Sequence, residues 1–431
     1  MSIGKNDSAK QIPMWIPQGK AAKSPGHPFY KKLNSLLKKD GFDPWIEDVC
    51  APFFQKGGRP SIPPGIYFRM LMIGYFEGLT SERGIAWRCA DSLSLREFLS
   101  YELHESTPDH SSFTVWRQRL SLEVYEEVFV RILRMVDAHG LLGGETLGVD
   151  STTVEANAAM KSIVRKDTKE SYPQYIDRLM EESGEGEKPT HEQRARFDKK
   201  RKGKKLPNKD WESQTDPDSR VARMKNGSTH MAYKAKNAVD LDSSIVVAAR
   251  ITPADQGDTK TLLPTLEKAQ ENLENVSSEK QILETVADKG YHKADLIKEL
   301  NWERGIMSYI PERKQGRRRW HGDERACREF HANRQRCKRD YGKSLGRKRA
   351  NIVERAFAHL CQTGGMSRFT TRGLENAEKK YMAHAVAYNL GVLMRALHGY
   401  GTPRGAAERL ILALFALYLA FILAHLLDFD E

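Results

Sequence analysis

Cysteine is scarce: five residues in 431, Cys50, Cys89, Cys327, Cys337 and Cys361, odd in number and far apart. None has the two-residue spacing of a zinc site, so the reading is reduced thiols in a cytosolic protein, not a metal knuckle or disulfide framework. Met1 to Pro17 lacks the apolar core of a secretion signal. Negative charge is in deficit, with 57 Asp and Glu against 69 Lys and Arg, a net charge of +12. That surplus favours a polyanionic partner, nucleic acid first and an acidic membrane surface second. Long apolar runs are missing too, with one exception. Leu410 to Leu427 is broken only by Tyr418 and His425, and its 18 residues sit at the lower limit for a membrane-crossing helix. The polar, basic chain before it favours a C-terminal helix over 398–431 that is buried in the fold or in a contact between copies.

What is present divides the chain. Residues 1–27 carry Lys, Ser, Gly and Pro with little periodicity and read as a flexible N-terminus. Residues 28–140 read as all-α. Ile66, Met70, Ile73 and Phe76 repeat at helix spacing, Thr80 to Arg83 looks like a helix start, and Thr107 to Ser112 is a turn leading into Phe113 to Leu120. Short helices with tight turns, bearing Arg83, Arg88, Arg117 and Arg119, suit a helix-turn-helix type DNA-binding module. The plainer reading is a basic bundle for protein contacts and oligomerisation.

Residues 141–397 carry sheet signals. In Glu145 to Glu155, Leu147, Val149, Ser151 and Thr153 alternate with Thr146, Gly148, Asp150 and Thr152, a strand pattern. Asp150 stands on it among apolar neighbours. A carboxylate there is costly to bury ionised without a positive partner, and the simplest such partner is a divalent metal. The plainer reading is an aspartate at a strand end. A second apolar run, Gln281 to Ala287, ends at Asp288 and a glycine turn, so two strands each deliver an aspartate to one acidic pocket. Between them lie a hairpin, His230 to Asp240 and Ser244 to Thr252, and a helix from Asp258 to about Leu273. After Asp288 come a helix near 292–304 and a short strand, Ile306 to Ile310. The order implies a mixed α/β sheet flanked by helices.

Two charged insertions interrupt it. Residues of about 160–227, with the basic block Lys199 to Lys205, contain few large apolar side chains and are expected to be partly disordered. Residues of about 313–349 hold Arg317, Arg318, Arg319, Arg334, Arg336, Lys338, Arg339 and Arg347 to Arg349, with Trp320, Phe330 and Tyr341 interleaved for stacking on bases or sugars. So many like charges in a short span call for a polyanion.

Then come Val353, Ala356, Phe357 and Leu360, spaced as one helical face. Glu354 is about 100° round from Val353, at the rim of that stripe, within reach of the sheet edge. Alone it reads as a surface glutamate. Beside Asp150 and Asp288 it reads as a third acid. Oxygen ligands without His or Cys favour Mg²⁺ or Mn²⁺, and a pair of such ions about 4 Å apart supports phosphodiester chemistry.

These residues resemble those of the DDE transposases of bacterial insertion sequences. The likeness covers roughly residues 28–400. It rests on Gly58 to Arg69 and Asp109 to Arg117, and on Gly148 to Thr152, Ala287 to Tyr291 and Val353 to Phe357. It maps the family's two aspartates onto Asp150 and Asp288 and its glutamate onto Glu354. A signature common around that glutamate, Tyr-x2-Arg-x3-Glu-x6-Lys, is not kept: Arg347, Ala350 and Cys361 occupy its positions. Arg349, Arg355 or His359 then takes over the DNA-contacting charge.

The resemblance implies an RNase H-like catalytic domain behind a helical domain that recognises terminal inverted repeats. It implies two Mg²⁺ or Mn²⁺ ions, double-stranded DNA as end and target, a homo-oligomer pairing two ends, and a cytoplasmic, nucleoid-associated location. The expected activity is metal-dependent cleavage at element ends followed by strand transfer. DNA contacts are expected from Arg117, Arg119, Arg317, Arg318, Arg319, Arg349 and Arg355. The alternatives are a catalytically inactive DNA-binding descendant and an RNase H-like nuclease that does not join.

Overall fold

The computed structural model describes residues 24–427 apart from 56, 58–60, 185–188, 201–207, 225, 314–319 and 321. Helices come first: α1 (Pro28–Asp40), α2 (Phe42–Cys50), α3 (Pro64–Phe76), α4 (Glu82–Asp91), α5 (Leu93–Phe98), α6 (Ser111–Arg119) and α7 (Leu122–Asp137). α3 is apolar nearly all round and lies at the centre, with Tyr67, Met70, Ile73 and Phe76 buried. Tyr67 stacks on Trp116 of α6 at 5.1 Å, and its hydroxyl shares a 2.6 Å hydrogen bond with that of Tyr125 on α7. Tyr67, Trp116 and Tyr125 thus join α3, α6 and α7 in one core with Met70, Ile73 and Ile132.

The sheet follows: β1 (Thr146–Glu155), β2 (Ile163–Arg165), α8 (Tyr172–Glu182), α9 (His191–Lys200), β3 (Trp211–Ser213), β4 (Arg220–Arg223), β5 (Thr229–Asp240) and β6 (Val246–Pro253). The chain continues through α10 (Asp258–Val276), β7 (Glu284–Ala287), α11 (Ala294–Lys298), β8 (Met307–Tyr309), α12 (Glu324–Lys338), α13 (Asp340–Ala358), α14 (Leu374–His398) and α15 (Pro403–Leu427). β1 is central. It pairs antiparallel with β5, Asp150 opposite Asn237, and parallel with β7, Val149 opposite Ala287. β7 is parallel to β8, while β4 and β6 both pair with β5. The result is the expected mixed sheet flanked by helices.

The turn into β1 is pinned from the hairpin. The buried Asp240 carboxylate accepts the Gly143 and Gly144 N–H groups at 3.0 and 3.1 Å and that of Asp242 at 2.8 Å. This fixes the register that carries Asp150. α13 lies across β1 and β7, α10 packs on β5 and β6, and α14 joins β6 to α3 and α7. All five cysteines are free thiols.

Three expectations change. Residues 160–227 are not loose throughout: β2 pairs with β3, β4 extends the main sheet, and Tyr175, Ile176, Met180 and Trp211 are buried. A few aromatic and aliphatic anchors suffice, because the segment packs with the sheet rather than folding alone. Most of the basic block, 201–205, lies outside the described residues. The stretch 313–349 contains α12 and most of α13, a helical pair with Ala326, Phe330 and Leu345 buried. And α15 is helical, with Ala406 in its first turn buried, but Ile411, Leu412, Leu414, Phe415 and Tyr418 are exposed rather than buried in the fold. Among the described residues no helix is long and apolar enough to cross a membrane.

Candidate active site

The register of β1 and β7 decides what meets at the sheet edge. Val149 faces Ala287 across the parallel ladder, so the next residue on each strand is an acid, Asp150 and Asp288. Asp288 ends its strand by accepting the Gly290 N–H at 2.7 Å, which starts the short 3₁₀ turn Lys289–Tyr291. A Cβ on Gly290 would stand 2.7 Å from the Asp288 carboxylate, so a larger residue there would push that carboxylate from its place. Asp150 accepts the Ser151 N–H through Oδ1 at 2.7 Å and the Arg349 guanidinium through Oδ2 at 2.9 Å.

Burial lifts the Asp150 pKa above the ordinary carboxylate value; the Ser151 N–H and Arg349 pull it down, and the negative charge of Asp288 pushes it up. The two strand acids therefore feel each other.

α13 brings the third residue. Val353 is fully buried against β1, while Glu354, the next residue, is exposed. Among the described residues no three His, Cys, Asp or Glu side chains gather into a group that could hold a metal ion. The structure thus brings Asp150 and Asp288 together and leaves Glu354 on the solvent side of α13. The pair fits a hard divalent cation in its chemistry: two mutually repelling carboxylates on neighbouring strands, one midway along β1 and one just past the end of β7, offering oxygen alone.

A polar layer that the sequence reading missed lies beside Asp150. Ser151 donates to Asp258, at the start of α10, at 2.9 Å, and Lys234 forms an ion pair with the same oxygen at 2.6 Å. Lys236, opposite Ser151 on β5, is 1% exposed, and its Nζ has no hydrogen-bond partner among the described residues. Burial, then Lys234, brings its pKa down to about 8, with Asp258 opposing. Burial raises the Tyr291 hydroxyl, and Asp258, Asp150 and Asp288 raise it further. The signal was the alternation of Lys234 and Lys236, but only the β1–β5 register shows that Lys236 lies beside Ser151.

The basic side chains divide by partner. Arg117 is 14% exposed and ion-paired with Glu82. Arg119 lies over the Phe54 ring at 4.6 Å and is exposed. Arg355 is exposed and donates to Asn351 at 2.6 Å. Arg317, Arg318 and Arg319 lie outside the described residues. Of the interleaved aromatics, Phe330 is corrected: it is 1% exposed beneath Trp320 and His292, in the core, and offers no face to a base. Tyr341 is exposed, with its hydroxyl on Glu284 at 2.8 Å. Trp302, which the sequence reading passed over, is exposed with Arg325 3.7 Å from its ring centre.

Comparison with protein families decides the class. The family described as Transposase domain (DUF772) matches residues 18–119, and the one described as Transposase DDE domain matches residues 187–390. The chain belongs to the DDE transposases of insertion sequences. In this transposase the mixed sheet is the RNase H-like fold that a DDE domain implies. The DDE match takes in Asp288 and Glu354 and begins after Asp150. No curated protein and no solved structure matches the chain.

Proposed function

We propose that this transposase cuts DNA at the ends of its element and joins the freed 3′ ends to target DNA, using Asp150, Asp288 and Glu354. The observation that carries this reading is the pairing of Val149 with Ala287, which sets Asp150, midway along β1, next to Asp288, just past the end of β7. Mg²⁺ or Mn²⁺, as two ions, supplies the Lewis acidity and charge compensation of such a reaction when bound. Asp150 and Asp288 hold that charge at the sheet edge, and Glu354 comes to it from α13 once DNA is engaged. The Ser151 N–H and the Gly290 N–H orient the two aspartates.

Residues 28–140 form the unit that binds the terminal inverted repeats, and residues 141–397 form the catalytic unit. Phosphate contacts from Arg119, Arg349, Arg355 and Arg317 to Arg319 position the duplex, and base contacts select the ends. Binding then weakens steeply with salt. A homo-oligomer pairs two ends in the cytoplasm, at the nucleoid.

The test is Asp288→Ala. End binding persists, and Mg²⁺-dependent cleavage of end DNA is lost. Undiminished cleavage removes Asp288 from the site.

A second reading, a DNA-binding protein without catalysis, draws on the exposed position of Glu354. Wild-type protein that binds element ends but never cuts them with Mg²⁺ or Mn²⁺ decides for it. Joining of pre-cut ends separates a transposase from a nuclease.

A further inference from the structure

Among the described residues, the ion pair of Asp150 is with Arg349, Nη1 to Oδ2 at 2.9 Å. It is a built contact rather than a surface encounter. Arg349 is 13% exposed along its side chain, and its stem crosses β1 where Gly148 leaves room: Cγ lies 3.2 Å from where a Cβ on residue 148 would be. The neighbouring Lys348 turns away to Asp242. One guanidinium thus sits in a pocket with two carboxylates, leaving one negative charge over.

A guanidinium does not lose its proton in a protein, so Arg349 leaves Asp150 only by moving. A hard divalent cation seeks the same oxygen lone pairs. Both cannot hold Oδ2 fully, and a displaced guanidinium fork is shaped for a phosphate. We propose that Arg349 is the resident counter-ion of the acidic pocket: it competes with a divalent cation for Asp150, and on release it pairs with a DNA phosphate. Arg349 is in this sense a positioning residue, and the inference rests on the metal-dependent reading above. It links cation loading to DNA grip, because either ligand frees the arginine's place for the other.

The test uses full-length protein and Mn²⁺ alone, with free Mn²⁺ counted by electron paramagnetic resonance and no DNA present. Arg349→Gln is expected to bind Mn²⁺ about tenfold more tightly than wild type, the order expected on removing one charge a few ångströms from a partly screened cation. Arg349→Lys, which keeps the charge, stays near wild type. Adding Mn²⁺ steepens the salt dependence of end-DNA binding by about one phosphate contact in wild type and leaves it unchanged in Arg349→Gln.

Should Arg349→Gln fold poorly, ¹⁵N-arginine spectra of wild type give the second readout. A resonance absent from Arg349→Lys shifts on Mg²⁺ titration, and an unmoved resonance overturns the exchange. Mn²⁺ uptake that needs Asp288 but is equal in wild type and Arg349→Gln overturns this inference alone. No uptake by wild type or either variant overturns the metal-dependent reading and this inference with it.

Discussion

Gly148 of β1 lies directly beneath Val353 of α13: a Cβ at 148 would stand 2.8 Å from Val353 Cγ2 and 2.6 Å from Leu241 Cδ2. The strand contributes no side chain here, so the Val353 and Arg349 side chains of α13 rest on its backbone, and this closeness is what brings Arg349 to Asp150. Gly148→Ala therefore overpacks a site that also aims the acidic pocket. The expected loss is about 1–3 kcal/mol of stability, read from urea unfolding, together with slower DNA cleavage. Unchanged stability would mean that α13 yields freely and that the contact does not set its position.

Glu354 offers a cleaner separation of fold from chemistry. It is exposed, with Val353 beside it doing the packing. Glu354→Gln should change stability by no more than about 0.5 kcal/mol. Cleavage should fall at least about a hundredfold if the carboxylate completes the site, since charge stabilisation in such sites is worth several kcal/mol. Single-turnover cleavage beside a melting curve checks both. Full cleavage by this variant would retire Glu354.

The helical module is held to the sheet by a lysine. Lys379 of α14 is 4% exposed and donates to carbonyls at the end of α6 and just after it, Arg117 O at 3.1 Å and Leu120 O at 2.8 Å, with Glu375 at 2.6 Å. Lys379→Met keeps the stem and removes the donors, leaving buried acceptors unpaired. A loss of about 1–3 kcal/mol follows, with α6 loosened. Calorimetry and hydrogen exchange across Ser111–Arg119 give the measure, and unchanged protection there would count against the clamp.

His384, buried at the junction of α14 and α3, makes stability depend on pH. Its Nδ1 lies 2.9 Å from Lys380 O, and its ring meets Tyr75 edge-on at 6.0 Å. Burial first, and the Lys380 charge second, bring its pKa from 6.5 down to about 3. The unfolded chain therefore takes up a proton at a higher pH than the folded one. The stability from a neutral His384 is fully present above about pH 6.5 and is lost as pH falls towards about 3, on the order of a few kcal/mol in all. His384→Gln should flatten that decline in denaturation curves run from neutral pH to about 4. A decline of the same steepness would place its source elsewhere.

Much of the architecture was readable because it is local. Alternation in Glu145 to Glu155 and in the hairpin matches β1, β5 and β6, and the stripe of Val353, Ala356, Phe357 and Leu360 is the buried face of α13 and the turn after it. Segments whose order depends on a distant partner were not readable. The tract of about 160–227 showed few large apolar side chains, and only the pairing of β2 with β3 and the contact of Tyr175 with Trp211 reveal that it packs. Phe330 looked like a stacking platform until α12 buried it, and the pairing of Arg349 with Asp150 could not be read along the chain.

Composition, periodicity and the spacing of a few motifs determined this chain's charge, its helical and sheet segments, its family likeness and the names of its acids, because those properties follow from neighbours along the backbone. Tertiary structure alone decided which charges are already partnered. Only the strand register sets Asp150 beside Asp288, only a bare Gly148 lets α13 approach, and only that approach delivers Arg349 while leaving Glu354 facing water. The physical reason is range: backbone preference acts over a turn or two, whereas charge pairing and close packing act between residues some two hundred positions apart.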